Sequence, residues 1–228
     1  MRKSPTTKDI FYINGEYSED RKKLHDEIVR MFISDKGVNP EVSGSEAILM
    51  CGGSGTGKSR VIEKIIGSNG YVLVDPDKIK ELIPEYAKAK GEGKPEAADI
   101  VHEESSDIAL LLLEASIKDE LPLIYDGTMK NIDKYNEIIR DLKSKGYTIQ
   151  IVAVDASVEV AYDRAKKRYM ESGRVVEREV VENSNYLVAA AFQALCKKVD
   201  MYMVLENNSN NSNPQIIAYK DPQHEYCI

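Results

Sequence analysis

A chain of 228 residues, 42% hydrophobic and 30% charged, is long enough to close one sizeable core, so a single compact globular domain is the expectation. Its formal net charge of -7 argues against a general nucleic-acid binder or a binder of anionic membranes, because both need basic surface. Cys51, Cys196 and Cys227 lie far apart without metal-ligand spacing and are expected as reduced thiols of a cytoplasmic protein; the charged N-terminal stretch has no apolar segment after it, so neither a secretory signal nor a membrane-spanning helix is expected.

Ser18 precedes a segment in which Leu24, Ile28, Met31 and Phe32 recur at helical spacing, which predicts an amphipathic helix with Ser18 as its N-cap. A connector over 37–44 then separates this N-terminal helical extension, residues 1–44, from the main domain, residues 45–228. Ala47 to Cys51 is a short apolar run of the kind buried on both faces of a parallel sheet, with Cys51 a small buried hydrophobe. After the glycine-rich turn, Val61, Ile62, Ile65 and Ile66 share one helical face, and Gly67 is a natural stop.

The alternation continues with strands at 71–75, 121–126 and 147–155, and helices from Pro76, near 132–145, and over about 157–171 and 177–198. The aliphatic run Ile108 to Leu113 reads as the centre of a buried helix, and a strand pair at 201–206 and 215–220 closes the pattern. Strands and helices taking turns predict a three-layer α/β fold, a mainly parallel central sheet flanked by helices. The segment Ala87 to Ala98 has no apolar period and is expected to be mobile; NNSNNSNP, residues 207–214, is expected as a solvated turn without a functional role.

The stretch MCGGSGTGKSR carries the chemistry. Gly52, Gly57, Lys58 and Ser59 fit G-x-x-x-x-G-K-[ST], and Gly53, Ser54, Gly55 and Thr56 fill the loop between them. Glycines let successive backbone N–H groups converge on phosphate oxygens, the lysine reaches the outer phosphates, and the serine hydroxyl ligates Mg2+. Such a match arises by chance in on the order of one chain in a hundred of this length, and here it falls where the mechanism needs it, between a buried strand and a helix. A nucleoside triphosphate, ATP or GTP, is the expected ligand. No guanine-specifying N-K-x-D occurs, and KNID at Lys130 to Asp133 does not fit, so a GTPase switch is disfavoured.

A kinase acting on a hydroxyl needs a carboxylate near the incoming oxygen, at the carboxyl end of a strand. Asp75 followed by Pro76 reads as a capping acid and first helical residue; Asp77 is open between a dipole-stabilised first-turn acid and a cleft-facing group. Asp126, ending an apolar strand, reads as an acid holding Mg2+ through water, a substrate contact, or a turn residue. His102 reads as a surface histidine.

With the glycine loop, VDPDK, YDGT and a late arginine-bearing helix in this order, the chain resembles the zeta toxin family of P-loop kinases over about Tyr17 to Lys220. The resemblance implies phosphorylation of a sugar nucleotide, UDP-N-acetylglucosamine, on a hydroxyl, using a nucleoside triphosphate and Mg2+, and a small antitoxin as protein partner. It makes Asp77 the base, Lys58 and Ser59 the phosphate and metal groups, and Asp126, Thr128 and Lys130 the substrate-facing set, Asp126 also being offered to the metal. Arg168 and Arg174 become the arginines on the transferring phosphate, and Asp107 a substrate-binding acid. Asp126 and Lys130 both depart from the family pattern, which has a longer acid and an arginine; lysine lacks the planar fork that grips two oxygens at once. A nucleotide-dependent regulatory module and a polynucleotide kinase are the competing expectations, the second opposed by the acidic balance.

Overall fold

The computed structural model describes residues 4–42, 44–172 and 177–227, and at 168–172, 225 and 227 the backbone alone. The chain starts with a short helix, α1 (Thr7–Phe11), closed by a reciprocal cap in which Thr6 Oγ1 accepts from the Asp9 amide at 3.1 Å and Asp9 Oδ2 accepts from the Thr6 amide at 2.8 Å. A hairpin follows, β1 (Tyr12–Ile13) and β2 (Glu16–Tyr17), turning on Asn14 and Gly15, which both take positive φ. Helix α2 (Glu19–Ser34) buries Ile28 and leaves Met31 exposed, and Ser18 sits at its cap position without a side-chain bond to the helix. Thus the extension is a helix, a hairpin and a second helix, where the periodicity announced the last of these.

The central sheet has seven strands: β3 (Glu46–Cys51), β4 (Val72–Val74), β5 (Leu123–Tyr125), β6 (Thr148–Asp155), β7 (Met201–Glu206), β8 (Gln215–Lys220) and β9 (Glu225–Cys227). Their order is β4-β5-β3-β6-β7-β8-β9, parallel as far as β7 and antiparallel across the last two pairings. The strand before the glycine loop, β3, therefore runs between β5 and β6. Alternation along it divides the core. Ala47, Leu49 and Cys51 join the larger apolar cluster, Ile48 and Met50 the smaller one behind the loop helix. This is the three-layer, mainly parallel architecture that the alternation of elements predicts.

Helix α7 (His102–Lys118) fills the larger face with Ile108, Ala109, Leu112 and Leu113, helped by α4 (Pro76–Lys80) through Ile79 and by α8 (Ile132–Ser144) through Ile138, Ile139 and Leu142. One expectation changes on this face and a second on the opposite one. Residues 87–98, expected to be mobile, are largely helical: α5 (Pro84–Gly91) and α6 (Ala97–Ile100) cover most of the tract, buried through Ala89 and Ala97, while Tyr86 and Ile100 pack on the core from either end. Their anchors are too few to show a period. After the loop, α3 (Lys58–Val61) passes into a π-helical turn, Ile62–Ile66, closed by Gly67 donating to the Ile62 carbonyl at 2.8 Å. The wider turn changes the phase, so Val61 and Ile62 are buried and Ile65 is exposed.

A buried charged group joins α2 to α7. Glu104, with none of its surface exposed, accepts from His25 Nε2 at 2.7 Å and from the guanidinium of Arg21, which also forks onto Glu85 of α5. Burial alone would raise the Glu104 carboxyl, but hydrogen bonds from His25, Arg21 and Thr7 outweigh it and hold it at about 2. Among the described residues no helix is long and apolar enough to cross a membrane.

Candidate active site

The site gathers where β3, β4, β5 and β7 end. Gly55 and Gly57 adopt φ of +81 and +94, the left-handed backbone that other residues resist. A Cβ at Gly55 would stand 2.1 Å from the Ala161 carbonyl oxygen of α9 (Val158–Ser172), and one at Gly57 would stand 2.3 Å from Asn207 Nδ2. These glycines thus let the loop lie flat against two neighbours. Inside the turn Thr56 Oγ1 donates to the Gly53 carbonyl at 3.1 Å, and Lys58 Nζ reaches back to the carbonyls of Gly52 and Gly53 at 2.8 and 3.2 Å. Gly52 donates to the Thr128 carbonyl at 3.4 Å, so the residue after YDG is tied to the start of the loop. Ser54 is half-buried, and Ser59, in the first turn of α3, is exposed.

Two residues brace this cradle that the sequence reading passed over. Asn207, 2% exposed, donates from Nδ2 to the Thr56 carbonyl at 2.7 Å, and Arg164 of α9 reaches the carbonyls of Gly55, Thr56 and Asn207 at 3.4, 3.3 and 2.9 Å. Arg164 and Arg60 also bind Asn210. The asparagine-rich tract is therefore fastened to the loop at Asn207, while Asn208 and residues 210–213 stay exposed, as a solvated turn or loop would be. The legible signal was that Asn207 follows an apolar strand, β7, at the sheet edge where ligands of open α/β folds bind.

The acids stand on neighbouring strand ends. Asp75 caps α4, accepting from the amides of Asp77 and Lys78 at 2.8 and 3.3 Å. Asp77 is three-quarters exposed and accepts from the buried Lys80 Nζ at 2.7 Å. Asp126 donates its backbone N–H to the Val74 carbonyl at 2.9 Å. Burial pushes the Asp126 carboxyl up to about 6; Lys58 opposes this, and the charges of Asp75 and Asp77 add to it. Asp126 thus feels the loop lysine and both acids of VDPDK. Burial likewise pushes the Cys51 thiol up to about 12, so it is an inert part of the core.

YDGT is locked by packing. A Cβ at Gly127 would stand 2.0 Å from the Tyr135 hydroxyl, and the buried Met129 takes φ of +63, which leaves Thr128 exposed and Lys130 half-buried. Asp107 lies elsewhere among its partners: it pairs with Lys8 at 2.7 Å and accepts from the Tyr17 hydroxyl at 2.7 Å, so the N-terminal extension holds it. His102 is exposed at the start of α7. The side chain of Arg168 and the whole of Arg174 lie outside the described residues.

Among the described residues no group of three or more His, Cys, Asp and Glu can hold a metal. Mg2+ in phosphate-handling sites takes one or two protein oxygens and completes its shell with phosphates and water. Ser59 and the half-buried Asp126, with Asp75 and Asp77 close enough to raise it, fit that need.

A glycine cradle after the strand between β5 and β6, with a lysine folded into it and acids on the adjacent strand ends, defines a P-loop nucleotide-binding protein of the kinase type. The family model "Zeta toxin" matches residues 32–214, and the chain belongs to that family. A calmodulin calcium-dependent NAD kinase of Arabidopsis thaliana is 25% identical over 233 aligned positions, 79% of this chain and 44% of that protein. Toxin PezT of Streptococcus pneumoniae is 26% identical over 128, 55% of this chain and 50% of that protein. The chain thus spans about half the length of the curated relatives it matches. Among solved structures, the AvrRxo1-ORF1:-ORF2 complex with ATP shares the fold at a TM-score of 0.74 and 18% identity, over 99% of this chain and 79% of that one. The PezAT toxin-antitoxin system of Streptococcus pneumoniae does so at 0.65 and 20%, over 84% and 78%.

Proposed function

We infer that the chain is a kinase that moves the terminal phosphate of ATP or GTP, with Mg2+, to a hydroxyl of a small molecule. The observation that carries this is the pair of backbone bonds, Gly52 to the Thr128 carbonyl at 3.4 Å and Asp126 to the Val74 carbonyl at 2.9 Å, that set Asp126 beside both the phosphate loop and the strand end bearing Asp75. In this reading the loop amides and Lys58 hold the outer phosphates, and Ser59 with Asp126 holds Mg2+, which when bound offsets phosphate charge. Asp77, open to solvent at the mouth, orients or deprotonates the acceptor hydroxyl; Thr128 and Lys130 face the acceptor, and Arg168 with Arg174 offsets charge on the transferring group. Asp107 contributes to the acceptor site only if the Lys8 and Tyr17 contacts yield.

Two acceptors follow from different observations. Family membership favours UDP-N-acetylglucosamine. Lys130 and Asp126, the two departures from that pattern, together with similarity to a relative named as an NAD kinase over 79% of this chain, favour NAD. A small antitoxin is the proposed protein partner, supported by the likeness to a toxin of a toxin-antitoxin system. The proposed division is an extension at 1–44 and a kinase domain at 45–228, and the proposed compartment is the cytoplasm.

The test is incubation with γ-labelled ATP or GTP, Mg2+ and, separately, UDP-N-acetylglucosamine, NAD, a metabolite extract and an oligonucleotide, read by mass spectrometry. Phosphate on one small molecule supports the reading and names the acceptor. Bound nucleotide with no labelled product would make the chain a regulatory module, and label on oligonucleotide ends would make it a polynucleotide kinase.

A further inference from the structure

Helix α10 (Arg178–Leu195) buries Val181, Ser184, Val188, Ala191 and Leu195 along one stripe, so Ser184 is the polar residue of an otherwise apolar face. Buried helical serines usually bond a carbonyl one turn back, as Ser116 does to Leu112 at 2.7 Å in α7. Ser184 does not. It is 3% exposed, and neither its Oγ nor the buried Oδ1 of Asn185 has a hydrogen-bond partner among the described residues. Both atoms converge on the phosphate loop: a Cβ at Gly53 would stand 2.3 Å from Asn185 Oδ1 and 3.1 Å from Ser184 Oγ. The Gly53 carbonyl is also what Lys58 Nζ holds at 3.2 Å, and that lysine is the group that reaches the outer phosphates.

An unpaired polar atom in a buried position costs free energy unless something polar arrives to meet it. Two such atoms in adjacent residues, on the flank of the cradle that carries the lysine, mark a place where a ligand supplies the missing partner. A half-turn of the Asn185 carboxamide exchanges its oxygen for its NH2 group, and a serine hydroxyl donates in any direction, so both can donate to an anion. We propose that Ser184 and Asn185 are positioning residues for the donor's terminal phosphate, adding two neutral donors from α10 to those of the loop. The pair distinguishes a nucleoside triphosphate from the diphosphate left after transfer. This rests on the kinase reading only in requiring that the loop bind nucleotide.

The experiment measures the affinity of a β,γ-imido triphosphate analogue and of ADP, both with Mg2+, for the full chain and for Asn185→Asp, Asn185→Ala and Ser184→Ala by calorimetry. A carboxylate beside the terminal phosphate should weaken the analogue by about tenfold or more in Asn185→Asp, with ADP changed by less than about twofold. Ser184→Ala, which removes an unpaired buried hydroxyl, should melt no lower than the parent without nucleotide yet gain less from the analogue, a pattern that lost packing does not produce. Equal weakening of both nucleotides, or an unchanged analogue affinity in Asn185→Asp, would overturn the proposal. If the parent binds both nucleotides but phosphorylates nothing, the kinase reading fails while the affinity ratio still decides this one; a parent that binds neither sinks both.

Discussion

The side-chain amide of Asn207 joins the end of β7 to the phosphate loop by donating to the Thr56 carbonyl at 2.7 Å, 151 residues away in sequence. The same carbonyl receives Arg164, and Asn207 stands where a Cβ at Gly57 would fall. The loop is therefore shaped by what lies outside it. Asn207→Ala should leave a buried carbonyl with one long bond in place of two, costing about 1–3 kcal/mol of stability and roughly tenfold in ADP affinity. Calorimetry on the folded variant checks this, and parental affinity would show that the loop holds its shape alone.

Asp126 gives a pH dependence with a definite sign. Its folded value of about 6 lies above the ordinary 3.8, so the folded chain holds a proton that the unfolded chain has already lost between these values. Stability should fall as pH rises through that window, and the full cost, up to about 3 kcal/mol, is present above it. Asp126→Asn should accordingly stabilise the nucleotide-free chain at pH 8 and hardly at pH 4, as read by urea unfolding. The same variant should lose the stabilisation by Mg2+ with nucleotide that the parent shows.

Asp77 is three-quarters exposed and pairs with the buried Lys80 at 2.7 Å, a bond that the carboxamide oxygen of asparagine can still accept. Asp77→Asn should keep nucleotide affinity and lose about a hundredfold or more in turnover, the usual contribution of a positioned acid or base. Parental turnover at neutral pH in that variant would remove Asp77 from the mechanism.

Glu104 makes the opposite pH prediction. Its folded value, about 2, lies below the ordinary 4.5, so its stabilisation is complete above 4.5 and fades as pH falls toward 2. Glu104→Gln strips the buried Arg21 and His25 of their shared anion and should cost about 3 kcal/mol at pH 7. Urea unfolding should show that cost shrinking at pH 3; a constant difference would mean that shape, and not charge, is what Glu104 supplies.

The local patterns proved readable wherever neighbouring residues decide the outcome. The buried strand Ala47 to Cys51, the glycine turn, the lysine and serine that follow, and the alternation of strands with helices all depend on contacts within a few positions, and so they stand in the sequence. The hairpin at Asn14 and Gly15 left a local signal of the same kind, two turn residues in a row, but the sequence reading did not take it up. The π turn left none, because its extra residue per turn answers to packing behind the sheet instead of to the side-chain period. Asp107 likewise shows an acid's chemistry in sequence, but only folding reveals that Lys8 and Tyr17 hold it.

By itself the sequence determined that a glycine-rich loop of the phosphate-binding pattern exists and which residues compose it, since that pattern is made by consecutive residues. Only the tertiary structure decided what surrounds the cradle: Asn207 and Arg164 against Thr56, Ser184 and Asn185 beside Gly53, Asp126 within electrostatic reach of the lysine and the acids of VDPDK. Side chains brought together from strand ends and helices more than a hundred residues apart leave no period or spacing behind, because their proximity is created by the strand order of the sheet.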